Sequence, residues 1–164
     1  VAHDLGDAKI TVVGVPDRPG MAAAIFQAVA DAGINMDMIV QNVSVHESGA
    51  TDVTFTCPRG DAAKAELALR RIEKDVNFKD IDTDENIAKI SLVGAGMRSH
   101  PGVSATFFKA IADAGVNVEM ISTSEIRISV VTRADDATKA VTAIHSAFGL
   151  DADGEAVVYG GTGR

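Results

Sequence analysis

The chain has 164 residues, 46% of them hydrophobic, 23% charged and only 4% aromatic, with a formal net charge of −8. That length suits one ordinary domain or two small ones, and an acidic chain without a basic run argues against a nucleic-acid partner. The single cysteine, Cys57, excludes an internal disulfide; a cytoplasmic setting is expected, with no signal peptide read and no apolar run long enough to cross a membrane.

In chain order, Lys9 to Val15 (KITVVGV) is rich in β-branched residues and reads as a buried strand. Pro16-Asp17-Arg18-Pro19-Gly20 carries the turn signals of a loop. From Met21 the period changes: Ala22, Ile25, Phe26 and Val29 fall at helical spacing, and Gly33 is placed to close the helix. Asn35 to Ser44 is a second strand, His46 to Gly49 a loop, and Thr51 to Cys57 a third strand stopped by Pro58. Asp61 is the expected N-cap of a helix through Lys74 that buries Ala65, Leu69 and Ile72, and Phe78 to Asp82 is a fourth strand. The order β-α-β-β-α-β is the ferredoxin-like arrangement, an antiparallel sheet with two helices on one face.

The pattern then returns. From Pro19 to Ile39, set against Pro101 to Ile121, more than half the residues are identical, including P-G, A-D-A-G and M-I. A spacing of about 80 residues is too long for a solenoid unit and indicates two copies of one small domain. Half-chains of that size fold alone only marginally, so a shared interface is expected. Ala88 to Val93 is a strand, and Ser104 to Ala114 a helix burying Phe107, Phe108, Ile111 and Ala112. Val116 to Ser122 and Glu125 to Thr132 form a hairpin-like pair, and Asp135 or Asp136 starts a helix burying Ala140, Val141, Ile144 and Phe148. The fourth strand has two sources, Val157 to Tyr159 or the segment around Val1 to His3; the latter would insert the first copy inside the second. The expected domains are residues 8–84 and 85–164, with residues 1–7 one of the two candidate sources of a strand for the second.

A site for a free amino acid needs donors for a carboxylate and acceptors for an ammonium. The helix after Pro19-Gly20 offers unpaired N–H groups and the positive end of its dipole, and Gly20 has no side chain to block them. Asp17 can accept from an ammonium. Asn35, Asp37 and Gln41 share one parity on the following strand and so one side of it. The bland readings stand beside this one: Asp17 as a cap, Asn35 as a turn residue, Asp37 and Gln41 as solvated edge residues, Met36 and Met38 as core. The second loop, GAGMRSHPG, is two residues longer and has no acid in the place of Asp17, while Asp37 becomes Glu119 and Gln41 becomes Thr123. His3, His46, His100 and His145 lack metal-ligand spacing, Gly94-Ala95-Gly96 lacks the third glycine of a dinucleotide fingerprint, and no Ser or Cys has a paired base. No catalytic centre, metal or cofactor is expected.

VGVPDRPG, INMDMIVQNVS, TDVTFTC, GAGMRSHPGV, EMISTSEIRISV and EAVVYGGTGR resemble, over essentially the whole chain, the C-terminal regulatory region of bacterial aspartate kinases, which carries tandem ACT domains. The resemblance implies an α+β fold of two such domains and a regulatory role without the kinase domain. Some family members make this half as a separate β subunit that pairs with a catalytic α subunit. It also implies that threonine, the typical effector, is held by Asp17, Arg18, Pro19, Gly20, Met21, Ala22, Asn35, Met36, Asp37 and Gln41. Val103, Ser104, Asn117, Val118, Ser124 and Glu125 would complete effector sites across an ACT–ACT interface in a homodimer. Lysine would act together with threonine in feedback inhibition of threonine, lysine and methionine biosynthesis. The rival readings are a regulatory subunit of another pathway, such as acetolactate synthase, and a ferredoxin-like enzyme.

Overall fold

A computed structural model of the chain describes residues 1–42, 49–94, 97 and 100–150. The chain divides into two compact units, one formed by Gly6–Asn86 and the other by Val1–Leu5 with the described residues from Ile87 onward. The elements are β1 (Ala2–Asp4), β2 (Asp7–Pro16), α1 (Met21–Asp31), β3 (Ile39–Gln41), β4 (Ala50–Pro58), α2 (Ala62–Arg71), α3 (Glu73–Val76) and β5 (Asp80–Asp84). They continue with β6 (Ile87–Val93), α4 (Gly102–Asp113), β7 (Met120–Thr123), β8 (Arg127–Arg133) and α5 (Ala137–Ala147).

Among the described residues each unit holds one four-stranded sheet, ordered β3-β4-β2-β5 in the first and β1-β6-β8-β7 in the second, with every pair antiparallel. The orders correspond strand for strand, and β1 holds the position in the second sheet that β5 holds in the first. Its register sets His3 against Ile90 and Asp4 against Lys89. The alternative source, Val157 to Tyr159, lies outside the described residues.

The first core gathers Ile10, Val12 and Val15 of β2, Ile25 and Val29 of α1, Val53 and Phe55 of β4, and Ala65 and Leu69 of α2. Phe26 meets Phe55 edge to face, with ring centroids 6.4 Å apart. The second core is built the same way from Ile90, Leu92, Phe107, Ile111, Ile128, Val130, Ala140 and Ile144. These are the apolar stripes of strands with period two and helices with period 3.6, brought together on one face of each sheet.

Both α1 and α4 stop by the same device. Gly33 and Gly115 adopt left-handed φ values of 76° and 71°. Gly33 N–H donates to the Ala30 carbonyl at 2.9 Å and Ile34 N–H to Val29 at 3.3 Å; Gly115 and Val116 repeat these bonds to Ala112 and Ile111 at 2.9 and 3.1 Å. This is the Schellman closure, completed by buried contacts of Ile34 and Val116. It explains why A-D-A-G persists in both copies.

Several boundaries differ from the sequence reading. Among the described residues the regular part of the second strand is Ile39–Gln41; before it Asp37 and Met38 both bond to Thr56 of β4, out of the regular ladder. The second helix stops at Arg71 rather than Lys74, and a separate turn of helix, α3, ends at Asn77 with φ 63°. Asp61 and Asp136 precede α2 and α5 but make no side-chain cap bond, since single 3-10 turns, Arg59–Asp61 and Ala134–Asp136, lead the chain in instead. The strand expected at Phe78 to Asp82 is displaced to Asp80–Asp84, and Ala112 is exposed because α4 turns Phe107 and Ile111 inward. The strand end at Val43 and Ser44, the loop from His46, parts of the second loop (95, 96, 98 and 99) and the tail from 151 lie outside the described residues.

Arg59 joins the two ends of the first unit. Its amide donates to the Gly6 carbonyl at 2.7 Å and its guanidinium to the Glu85 carbonyl at 2.8 Å.

Candidate functional site

The loop after β2 is built on a bulge. Val12 pairs with Val53, but Val15 pairs with Thr51, so β2 carries one residue more than β4 across that interval. Gly14 lies in this interval with φ 69° and donates its amide to Asp52 Oδ1 at 3.0 Å. A Cβ on Gly14 would come within 2.7 Å of Lys79 Cγ, and Lys79 N–H donates to the Val13 carbonyl at 2.8 Å. The extra residue resets the parity of the strand. Ile10 and Val12 face the core, and Val15 faces it again, where an unbroken alternation would turn it outward.

Beyond the bulge the pairing continues through Pro16 opposite Ala50, and Asp17 N–H donates to the Gly49 carbonyl at 2.8 Å. Gly20 then precedes α1 at φ 92°, with no side-chain cap, and nothing among the described residues lies within 4 Å of where its Cβ would stand. Met21 N–H makes a long bond of 3.4 Å to the Arg18 carbonyl. The next amides of the first turn have no partner within the helix, so the positive end of α1 opens between exposed Asp17, Arg18, Pro19 and Gly20. Met21 and Ala22 are half-buried behind them. The arrangement offers N–H donors to a carboxylate and the Asp17 carboxylate to an ammonium.

The edge strand carries the remaining residues. Gln41 pairs with Val53 and Ile39 with Phe55, whereas Asp37 N–H donates to the Thr56 carbonyl at 3.0 Å. Counted along β4 from the Pro16 pairing, Gln41 lies about 10 Å from the loop and Asp37 about 20 Å, at roughly 3.3 Å per residue. Gln41 therefore sits at the loop end, while Asn35 and Asp37 sit at the opposite end of the same edge. All three are exposed, with Ile34 and Met38 buried and Met36 half-buried between them. Ile39, 47% exposed, stands between the two groups on an edge that no strand of its own sheet covers.

In the second unit Val93 pairs with Arg127 and Gly94 N–H donates to the Ile126 carbonyl at 2.9 Å, with no bulge in the described ladder and Gly94 outside the left-handed region. Pro101 precedes α4; Val103 is half-buried against the core and Ser104 is exposed. An open cavity of about 570 Å³ lies at this helix start, lined by His100, Pro101, Val103, Thr106 and Phe148 among others. Ser124 and Glu125 are exposed in the β7–β8 turn, where Ser124 N–H donates to the Arg127 carbonyl at 2.8 Å. Asn117 and Val118 follow the helix closure at the other end of the edge, exposed and half-buried respectively. Glu119, in the position of Asp37, approaches Arg133 Nη1 at 3.3 Å.

Sequence reasoning passed over Gly14 and Asp52. The available signal was a lone glycine inside a β-branched run, which marks a bulge. Among the described residues no group of three or more His, Cys, Asp or Glu is arranged to hold a metal ion, and no helix is long and apolar enough to cross a membrane. Cys57 is buried, and burial first, then the nearby Asp61 and Asp7 carboxylates, pushes its thiol up to about 11.

Models of the ACT domain match residues 9–77 and 90–148. The aspartokinase of Mycolicibacterium smegmatis is 56% identical over all 164 residues and that of Mycobacterium tuberculosis 57%; in each case the chain spans 39% of the relative's length. The structure is similar to the regulatory subunit of aspartate kinase from Thermus thermophilus in a ligand-free form, with TM-score 0.84 and 43% identity, covering 90% of this chain and 96% of that one. It is similar also to a chain in a crystal structure of aspartokinase alpha and beta subunits, with TM-score 0.83, 45% identity, and coverage of 90% and 95%. Two ACT domains, the matched sheet topology and identity along the whole length place this chain in the family of aspartokinase regulatory regions.

Proposed function

We propose that the chain is an amino-acid sensor that binds threonine at the loop of its first ACT domain and, with lysine, restrains an aspartate kinase catalytic partner in the cytoplasm. The observation that carries this reading is the uncapped start of α1 behind Gly20, with Asp17 exposed in the short loop that leads into it. A zwitterion presents the two charges that these groups complement, and the small apolar Met21 and Ala22 surface suits a short side chain.

A homodimer completes the site. Antiparallel docking of the β3 edge on the β7 edge of a second copy sets the loop end of one against the far end of the other. Asp17, Arg18, Pro19 and Gln41 would then face Asn117 and Val118 of that copy, while Asn35, Met36 and Asp37 would face its Val103, Ser104, Ser124 and Glu125. Exposed Ile39 and Ile121, at matching positions of the repeat, supply the apolar contact between the edges. Threonine favours one arrangement of the dimer only to the extent that it binds that arrangement better, and that difference is what reaches the kinase. Feedback on the threonine, lysine and methionine branches follows from this coupling.

Calorimetry on the 164-residue chain tests the reading. Threonine binds the unsubstituted protein, Asp17→Ala and Gln41→Ala each weaken it, and threonine at 100 times its dissociation constant stabilises the fold by about 2.7 kcal/mol. Threonine binding untouched by both substitutions overturns the site. Binding of valine without threonine would favour a regulator of another pathway.

A further inference from the structure

We infer that Asp52 is a positioning residue that sets threonine affinity through the Gly14 bulge, from the sheet face opposite the effector loop; the inference rests on the effector reading above. Asp52 stands between Thr51 and Val53, which both face the core, so its side chain projects to the other face of the sheet, away from α1. Its Oδ1 accepts the Gly14 amide at 3.0 Å.

The residue inserted by a bulge leaves the ladder and its amide loses a strand partner. Asp52 supplies one, and a carboxylate acceptor makes the bond charge-assisted. The alternative to the bulge is a strand in plain register, in which Val15 turns out of the core and each residue beyond moves by one place, about 3.3 Å. The bond from Asp17 to Gly49 would then be lost, and with it the anchor that holds the Asp17 backbone ahead of α1. Asp52 thus selects between two registers of the segment that carries the loop.

The second unit provides the contrast. Thr11 opposite Thr54 in the first sheet corresponds to Ser91 opposite Ser129 in the second, so the place of Asp52 is taken by Arg127. A guanidinium accepts no hydrogen bond. There the ladder runs straight, with Val93 opposite Arg127.

If a substitution leaves the bulged register populated only a tenth of the time, the apparent dissociation constant rises about tenfold, in inverse proportion to the fraction that remains competent. Threonine calorimetry on Asp52→Ala should show that loss, and Asp52→Asn, which keeps an oxygen acceptor, should stay within about threefold of the unsubstituted chain. Wild-type affinity in folded Asp52→Ala overturns the inference, as does an equal loss in both variants. A second measurement needs no variant: by reciprocity, saturating threonine must slow hydrogen exchange of the Gly14 amide. Unchanged Gly14 exchange with threonine bound overturns the inference even should Asp52→Ala not fold. Asp17→Ala separates the two levels. Threonine binding weakened by Asp17→Ala but not by Asp52→Ala removes only the role of Asp52; binding indifferent to both Asp17→Ala and Gln41→Ala removes the effector site and the role of Asp52 with it.

Discussion

The helices that follow the two loops end identically, on Gly33 and Gly115, while the strands that precede the loops end differently. In the first unit β2 bulges at Gly14, turns Val15 back into the core and runs on to Pro16. In the second the described ladder of β6 runs to Val93 without a bulge. The 3-10 turns at Arg59–Asp61 and Ala134–Asp136 and the cross-strand hydroxyl pairs, Thr11 with Thr54 and Ser91 with Ser129, are also shared. The repeat therefore holds constant what closes helices and packs sheets, and varies where the chain leaves the sheet for the loop. That exit is where a binding role can diverge without loss of the fold.

The comparison is broken most severely at the two glycines that precede the loops. Gly14→Ala places a Cβ against the Lys79 side chain at a left-handed φ and should cost about 1–3 kcal/mol by chemical denaturation. Gly94→Ala, where nothing among the described residues lies within 4 Å and φ is not left-handed, should stay within about 0.5 kcal/mol. Equal costs would show that the bulge does not distinguish the units.

The hydroxyl pairs give the next effect. Ser129→Ala leaves the Ser91 hydroxyl, 2.7 Å away and buried, without this partner, and should cost about 1–2 kcal/mol. The double variant Ser91→Ala with Ser129→Ala should cost less than the sum of the two single changes. Thr54→Val, in the half-buried pair of the first sheet, should cost less than Ser129→Ala.

The smallest effect concerns Cys57, which holds the place of Thr132 in the second sheet; both are buried and both lie opposite an alanine, Ala8 or Ala88. A thiol raised to about 11 stays protonated at pH 8, so an alkylating reagent should label it only on unfolding. The folded thiol holds its proton more tightly than the unfolded one. Its stabilising contribution is thus complete below pH ~8.5 and is lost as pH rises towards about 11. Rapid labelling of the native chain at pH 8 would show Cys57 to be more open than Thr132.

Much of this fold was legible because it is written in short-range patterns. The alternation of Ile10 and Val12, the helical spacing of Ile25 and Val29, and Gly33 each report a local rule that the tertiary structure then uses. The irregular course of Asn35–Met38 was not legible, since its bonds go to Thr56 in β4, whose register depends on the whole sheet. Nor was the extent of the second helix, because Ile72 suits the apolar stripe even though α2 ends one residue before it. For the site, Asn35, Asp37 and Gln41 are all exposed, with Ile39 between them, but parity says nothing of distance along a strand. The three span the edge from end to end, and only pairing partners reveal which end each residue occupies.

The bonds from Arg59 to Gly6 and Glu85 bear on the order in which the chain acquires its structure. β1 is the first strand in the sequence, yet its partner β6 follows only after the whole of Gly6–Asn86. Joining them as free ends would require closing a long loop, with an entropic cost that grows with the logarithm of its length. Folding of the intervening unit removes most of that cost, because Arg59 gathers residues 6 and 85 at one place and delivers β1 and β6 side by side. The second sheet should thus form late and take its rate from the first, so a slow step introduced into Gly6–Asn86 would be inherited by both.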